Sequence, residues 1–251
     1  MADEDPVFET TTGPVRVITA ASLFDGHDAA INVMRRLIQS SGAEVIHLGH
    51  DQSAKAVVDC AVQEDAHAVA LTSYQGGHVE YFSYIRELLD EAGCEHVRIF
   101  GGGGGTITPP EIRTLHQAGI SKIYSPEDGR TMGLMGMIHH LMGQAAEVDL
   151  IGEERLSSLN EPVTPEDMAK VGLLLTLSES ADDATFKAAV ETCRSSNKEV
   201  PVIGFTGTGG AGKSSLLDEL MLRIQRDNPG KKVCLLCVDP TRKRTGGALL
   251  G

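Results

Sequence analysis

Short apolar runs recur along the first half of the chain, separated by stretches whose apolar positions fall three or four apart. V-R-V-I-T-A (15–20), V-I-H-L (45–48), A-V-A-L-T-S (68–73), V-R-I-F (97–100) and K-I-Y (122–124) read as strands. Between them, Ile31, Met34 and Ile38 fall at i, i+3, i+7, and Phe82, Ile85 and Leu89 repeat the pattern. Each segment can therefore lay one apolar face on a sheet. Thr108, Pro109 and Glu111 supply an N-cap, a proline at the first helical position and a capping-box acid immediately after a five-glycine run. Five strand–helix units in about 130 residues predict an α/β, flavodoxin-like (Rossmann-like) domain with a parallel sheet, over residues 1–143.

Residues 144–199 change character, with 12 acidic against 5 basic residues. Thr164 with Pro165 predicts one helix start, with Met168, Val171 and Leu175 as its apolar stripe, and Ser180 predicts another. The stretch reads as a helical, solvated linker. At Val200 the first rhythm restarts: V-P-V-I-G-F-T as a strand, S-S-L-L-D-E-L-M-L-R-I as a helix, and V-C-L-L-C-V-D as a second strand. Two strands and one helix cannot close a sheet, so residues 200–251 read as the beginning of a second α/β domain.

Composition adds few constraints to this pattern. A chain of 251 residues with 41% hydrophobic and 23% charged residues is ordinary globular material. The net charge of -13 would repel nucleic acid and anionic membranes, so neither is an expected partner. With neither the n-region and h-region of a signal peptide nor an apolar run of spanning length, the expected compartment is the cytoplasm. Five cysteines without framework spacing suit a reducing compartment, and Cys234 and Cys237 lie inside an apolar run where core thiols are expected rather than a metal site.

G-T-G-G-A-G-K-S, Gly207 to Ser214, matches G-x-x-x-x-G-K-[ST] between a predicted strand and a predicted helix. Gly207, Gly209, Gly210, Ala211 and Gly212 let backbone N–H groups curl around a polyphosphate at a helix N-terminus, with Ser215 on the first turn. Lys213 reaches the β and γ phosphates as a catalytic group, and the Ser214 hydroxyl takes Mg²⁺. Asp239, at the end of the next predicted strand, is the second expected catalytic and magnesium-binding group. The residues alone do not distinguish adenine from guanine.

F-D-G-H-D-A-A-I, Phe24 to Ile31, follows the first strand at the carboxyl edge of the sheet, where open α/β folds bind ligands. Asp25 can accept the second ring N–H of His27, fixing its tautomer and raising its basicity, as around metal-bound histidines. Two small-residue loops, T-S-Y-Q-G-G after the third strand and G-G-G-G-G-T after the fourth, converge on the same edge. Their glycines leave room against the backbone for a large flat ligand held by one axial histidine.

D-x-H-x-x-G, S-x-L and G-G, in this order at these loops, mark the cobalamin-binding domains that hold the cofactor base-off and histidine-on. The chain resembles that family at D-G-H-D-A-A (Asp25 to Ala30), T-S-Y (Thr72 to Tyr74) and the glycine run from Gly101, with Ala30 for glycine, Thr72 for serine and Tyr74 for leucine. The resemblance implies His27 as the lower cobalt ligand, Asp25 as its partner and Thr72 as hydrogen-bond partner of the detached base. Gly26, Tyr74, Gly76, Gly101 and Gly102 are the further cofactor-binding positions it implies.

V-I-G-F-T-G-T-G-G-A-G-K-S-S-L followed by V-D-P-T-R-K-R-T-G-G-A-L-L-G resembles the GTPase chaperones of acyl-CoA mutases, with Gly209 where their loop commonly has proline. The order of parts resembles the fused isobutyryl-CoA mutase family, whose carboxyl-terminal barrel binds the acyl-CoA. That resemblance implies adenosylcobalamin, GTP and Mg²⁺ as cofactors and nucleotide, a homodimer, and a radical interconversion of isobutyryl-CoA and n-butyryl-CoA. A non-catalytic cobalamin carrier or sensor with a nucleotide switch is the alternative. A signalling receiver domain is disfavoured, because Thr72 and Ser73 stand where its phosphorylated aspartate would end the third strand.

Overall fold

The computed structural model describes residues 6, 8–164, 166–194 and 200–237. By contact the chain divides into two compact units, Met1–Ser196 and Asn197–Gly251.

The first unit opens with a small antiparallel hairpin, β1 (Glu9–Thr10) and β2 (Gly13–Pro14). The parallel sheet follows: β3 (Arg16–Ser22), β4 (Glu44–Gln52), β5 (Ala68–Thr72), β6 (Arg98–Gly102) and β7 (Lys122–Tyr124), in the order β4-β3-β5-β6-β7. That is the flavodoxin-like order, whose switch point lies between the first strand and the third. β5, A-V-A-L-T, is buried along its whole length, as a central strand covered on both faces requires. The expected strand over 45–48 extends to Gln52, because Gly49 at φ +87° and a shifted register let this edge strand continue through polar residues.

Helices α1 (Asp28–Ser40) and α5 (Pro126–Ala146) contribute to the cluster on one side of the sheet, with Val17, Phe100, Ile38 and Met142 buried together. α2 (Ala54–Gln63), α3 (His78–Glu91) and α4 (Pro109–Gln117) contribute to the other, around Ile18, Val69, Ile99, Phe82, Ile85 and Leu89. The α3 stripe is therefore core, and in the α1 stripe Ile31 and Ile38 are buried while Met34 is partly so. Burial of a side chain such as Phe82 is worth about 2–3 kcal/mol. Thr108 and Glu111 form the expected capping box at the start of α4.

The acidic segment is helical: α6 (Glu153–Ser157), α7 (Met168–Ser180) and α8 (Asp183–Cys193). It is not merely solvated, since Leu159, Leu173, Leu177 and Cys193 form a buried cluster. The buried face of α7 also differs from the expected stripe. Gly172, Leu173, Thr176 and Leu177 face inward, whereas Met168 and Leu175 are exposed. Close approach decides this orientation, because a Cβ at Gly172 would lie 2.9 Å from the Val62 carbonyl oxygen at the end of α2. Ser180 ends α7 rather than opening a helix; the α8 cap is Asp182, whose carboxylate accepts from the Ala184 and Thr185 N–H groups.

A buried ion pair also fixes the acidic segment to the sheet domain. Arg155 Nη2 donates to Asp65 Oδ1 at 2.6 Å, and Thr176 Oγ1 donates to Asp65 Oδ2 at 2.7 Å. Arg16 Nη2 in turn donates to Thr176 Oγ1 at 2.7 Å.

In the second unit the expected helix is present as α9 (Lys213–Asp227). The described parts of the two expected strands have no strand assignment, and Val202 is 93% exposed. The physical reason is that a parallel strand needs neighbours on its edge and helices on its faces before its apolar run is worth ordering.

Candidate functional site

The turn after β3 is held by its own aspartate. Asp25 is buried, and its Oδ1 accepts from both the backbone N–H of His27 (2.9 Å) and His27 Nδ1 (2.8 Å). Its Oδ2 accepts from the Tyr74 N–H at 2.6 Å, across from the loop after β5. Burial pushes the Asp25 carboxyl up, but the N–H groups of Tyr74 and His27 outweigh it and hold the carboxyl below its ordinary value. An ionised carboxylate only accepts, so Nδ1 carries the ring proton and Nε2 carries the lone pair of the neutral ring. The His27 side chain is 73% exposed, so Nε2 is open to an incoming metal. His27 is also the N-cap of α1, and its ring lies 5.3 Å from that of Tyr74, tilted by 48°.

Beside this turn lies a cleft of about 580 Å³. Thr72, Tyr74 and Gly101–Gly104 line one part of it, and Val33, Met34, Leu134 and Met137 from α1 and α5 another. Thr72 Oγ1 is buried without a hydrogen-bond partner among the described residues. An apolar cleft containing one unpaired hydroxyl suits an aromatic group that carries a hydrogen-bonding atom. The residues present therefore fit the heterocyclic tail of a cobalamin, with His27 available to cobalt.

The sequence-expected residues divide accordingly. Asp25, His27 and Tyr74 meet directly, and Thr72, Gly101 and Gly102 line the cleft with Tyr74. Gly26 and Gly76 are exposed on the flanking loops and do not line it. Gly101 and Gly103 also answer to the protein's own packing: a Cβ there would overlap the Phe82 ring and the Ser73 carbonyl oxygen respectively. The wall from α1 and α5 was not read as part of the site, and its only sequence signal is Ala29–Ala30 opposite the glycine loops. Asp51 was also missed; its Oδ1 accepts from the Phe24 N–H at 2.7 Å, holding Phe24 at φ +62° with its ring exposed.

The phosphate loop is local in sequence. Gly207, Gly209, Gly210, Ala211 and Gly212 lead into α9, with Gly210 at φ +73° and Gly212, the N-cap, at φ +81°. These left-handed conformations favour glycine and turn backbone N–H groups toward the helix entrance. Lys213 Nζ spans the loop, donating to the carbonyls of Gly207 (2.6 Å) and Thr208 (2.9 Å). Ser214 and Ser215 are exposed on the first turn of α9. Asp239 lies outside the described residues. Among the described residues no cluster of three or more His, Cys, Asp or Glu side chains could hold a metal, and no helix is long and apolar enough to cross a membrane.

Comparison with known proteins assigns both segments to families. Residues 15–133 match the family model of the B12 binding domain, and residues 171–251 match that of the methylmalonyl Co-A mutase-associated GTPase MeaB. The chain is 50% identical over 244 residues to a fused isobutyryl-CoA mutase of Geobacillus kaustophilus, covering 94% of this chain and 22% of that one. It is 52% identical over 239 residues to the Nocardia farcinica protein of the same name, covering 95% and 22% respectively. It is also 33% identical over 111 residues to the 2-hydroxyisobutanoyl-CoA mutase small subunit of Aquincola tertiaricarbonis, covering 44% of this chain and 79% of that subunit. These matches make residues 15–133 a B12 binding domain and residues 171–251 a MeaB-type GTPase segment. The chain belongs to the fused isobutyryl-CoA mutase family, and it spans about a fifth of the length of those relatives.

Proposed function

We propose that this chain is the cofactor-binding and phosphate-loop part of an adenosylcobalamin-dependent mutase that interconverts isobutyryl-CoA and n-butyryl-CoA. The observation that carries the reading is the linked set His27–Asp25–Tyr74 beside a cleft whose buried hydroxyl, Thr72 Oγ1, has no partner among the described residues. Adenosylcobalamin, when bound, supplies the radical chemistry of the carbon-skeleton rearrangement. His27 would hold the cobalt through Nε2. Asp25 keeps the proton on Nδ1, orients the ring and raises its basicity. Thr72 would hydrogen-bond the nucleotide tail and Tyr74, Gly101 and Gly102 would line its cleft, with Gly26 and Gly76 on the flanking loops. Apolar side chains from α1 and α5 exclude water from the tail.

In the same proposal, Gly207 to Ser215 bind GTP, Lys213 holds the β and γ phosphates, and Ser214 with Asp239 holds Mg²⁺. Nucleotide hydrolysis serves loading or protection of the cofactor. The acyl-CoA site belongs to a barrel on the remainder of the protein, which works as a cytoplasmic homodimer. Residues 1–143, 144–199 and 200–251 are proposed as cobalamin domain, helical connector and GTPase domain.

A spectral titration with adenosylcobalamin tests the reading. The expected result is a base-off spectrum on binding for the parent protein, and weakened or altered binding for His27→Ala. An unchanged spectrum at saturating cofactor would overturn it.

A further inference from the structure

His78 opens α3, next to the cofactor loop, yet it does not line the cleft. Its side chain is only 3% exposed, turned inward between two loops that do line it. Ring Nδ1 lies 2.9 Å from the Gln75 carbonyl oxygen, in the loop after β5. A carbonyl only accepts, so Nδ1 donates. Ring Nε2 lies 3.3 Å from Glu111 Oε2, too poorly aligned for a hydrogen bond but within ion-pair reach when the ring is protonated. The same Glu111 oxygen accepts from the N–H (2.7 Å) and Oγ1 (2.6 Å) of Thr108, which closes the glycine loop after β6.

One imidazole thus spans from the Tyr74–Gly77 loop to the Gly103–Thr108 loop. At its other end the first of these loops is tied to the histidine turn by the Tyr74 N–H and Asp25. At their strand ends the two loops are joined directly, the Ser73 N–H donating to the Gly102 carbonyl at 2.9 Å, and His78 stands between their outer parts.

We infer that His78 is a positioning residue that sets the spacing of the two loops gripping the cofactor's nucleotide tail, without touching the cofactor. This rests on the cobalamin reading above. Holding the two loops at one separation lowers the ordering cost of binding the tail. It does nothing for the corrin ring, whose metal contact comes from His27.

The test uses two probes on the same protein: adenosylcobalamin, and adenosylcobinamide, which lacks the nucleotide tail. His78→Ala is expected to weaken adenosylcobalamin binding about tenfold, the scale of losing one preorganising tie. Its affinity for adenosylcobinamide should be unchanged, and its adenosylcobalamin complex should retain the parent's base-off, histidine-on spectrum. Glu111→Gln, at a surface position, should shift the same ratio in the same direction by a smaller factor, and it keeps the test available if His78→Ala does not fold. Equal weakening of both probes, or no weakening of either, in whichever variant folds would overturn the inference. Failure of the parent protein to bind either probe would instead overturn the cobalamin reading itself.

Discussion

Replacing Arg155 with alanine isolates the tie between the acidic helices and the sheet domain. Asp65 is 2% exposed as a side chain, and Arg155 approaches both of its oxygens, at 2.6 and 3.4 Å, while also donating to the Leu150 carbonyl at 2.6 Å. Without the guanidinium, the Asp65 carboxylate keeps, among the described residues, the Thr176 hydroxyl at 2.7 Å and the more distant His96 ring at 3.9 Å. Removing one partner of a buried pair costs about 3–5 kcal/mol, and the surviving hydroxyl bond favours about 3. For a unit of this size that corresponds to a fall in Tm of about 6–12 °C. Circular dichroism melts and urea titrations at neutral pH read it directly. The double variant Asp65→Asn/Arg155→Ala should recover more than about 1 kcal/mol, because it removes the stranded charge. A loss below about 1 kcal/mol in Arg155→Ala, or no recovery in the double variant, would make the contact an ordinary surface pair and refute this account of how the segment is held.

Two further outcomes follow from the same geometry. Burial, with Arg16 and Arg155 beside His67, Arg155 beside His96, and Asp65 opposing both, brings the pKa values of the two histidines down to about 4. Between that value and about 6.5 the unfolded chain binds more protons than the folded one, so stability should rise with pH across that window and level off above it. The summed effect is at most roughly 3 kcal/mol per histidine, and urea midpoints that stay flat from pH 4.5 to 7 would contradict it. Gly103→Ala should open the loop after β6, because its Cβ overlaps the Ser73 carbonyl oxygen; a melt and cobalamin affinity both matching the parent would show that the loop yields without cost.

Much of the fold was legible because each sheet strand carries its own apolar run and each packed helix its own stripe, as with A-V-A-L-T in β5 and Phe82, Ile85 and Leu89 in α3. The features that were not legible depend on contacts distant in sequence. Which face of α7 turns inward depends on Gly172 meeting the end of α2 and Thr176 meeting Asp65, 111 residues away, and large hydrophobic positions do not encode either. The same division holds at the site. Asp25 and His27 lie two residues apart in one turn and stood out together, whereas the α1–α5 wall of the cleft and the inward tie at His78 exist only once the sheet brings the loops side by side. In the second unit the phosphate loop was readable from spacing, but its flanking apolar runs have no strand neighbours among the described residues.

The central claim, cobalt held by His27, is tested most directly by electron paramagnetic resonance of the cob(II)alamin complex, using protein labelled with nitrogen-15 only at histidine. An axial histidine nitrogen of spin one-half splits each cobalt line into two, whereas the cofactor's own nitrogen-14 base splits it into three. The account predicts doublets that are lost in His27→Ala. Triplets persisting in the labelled parent protein would contradict it.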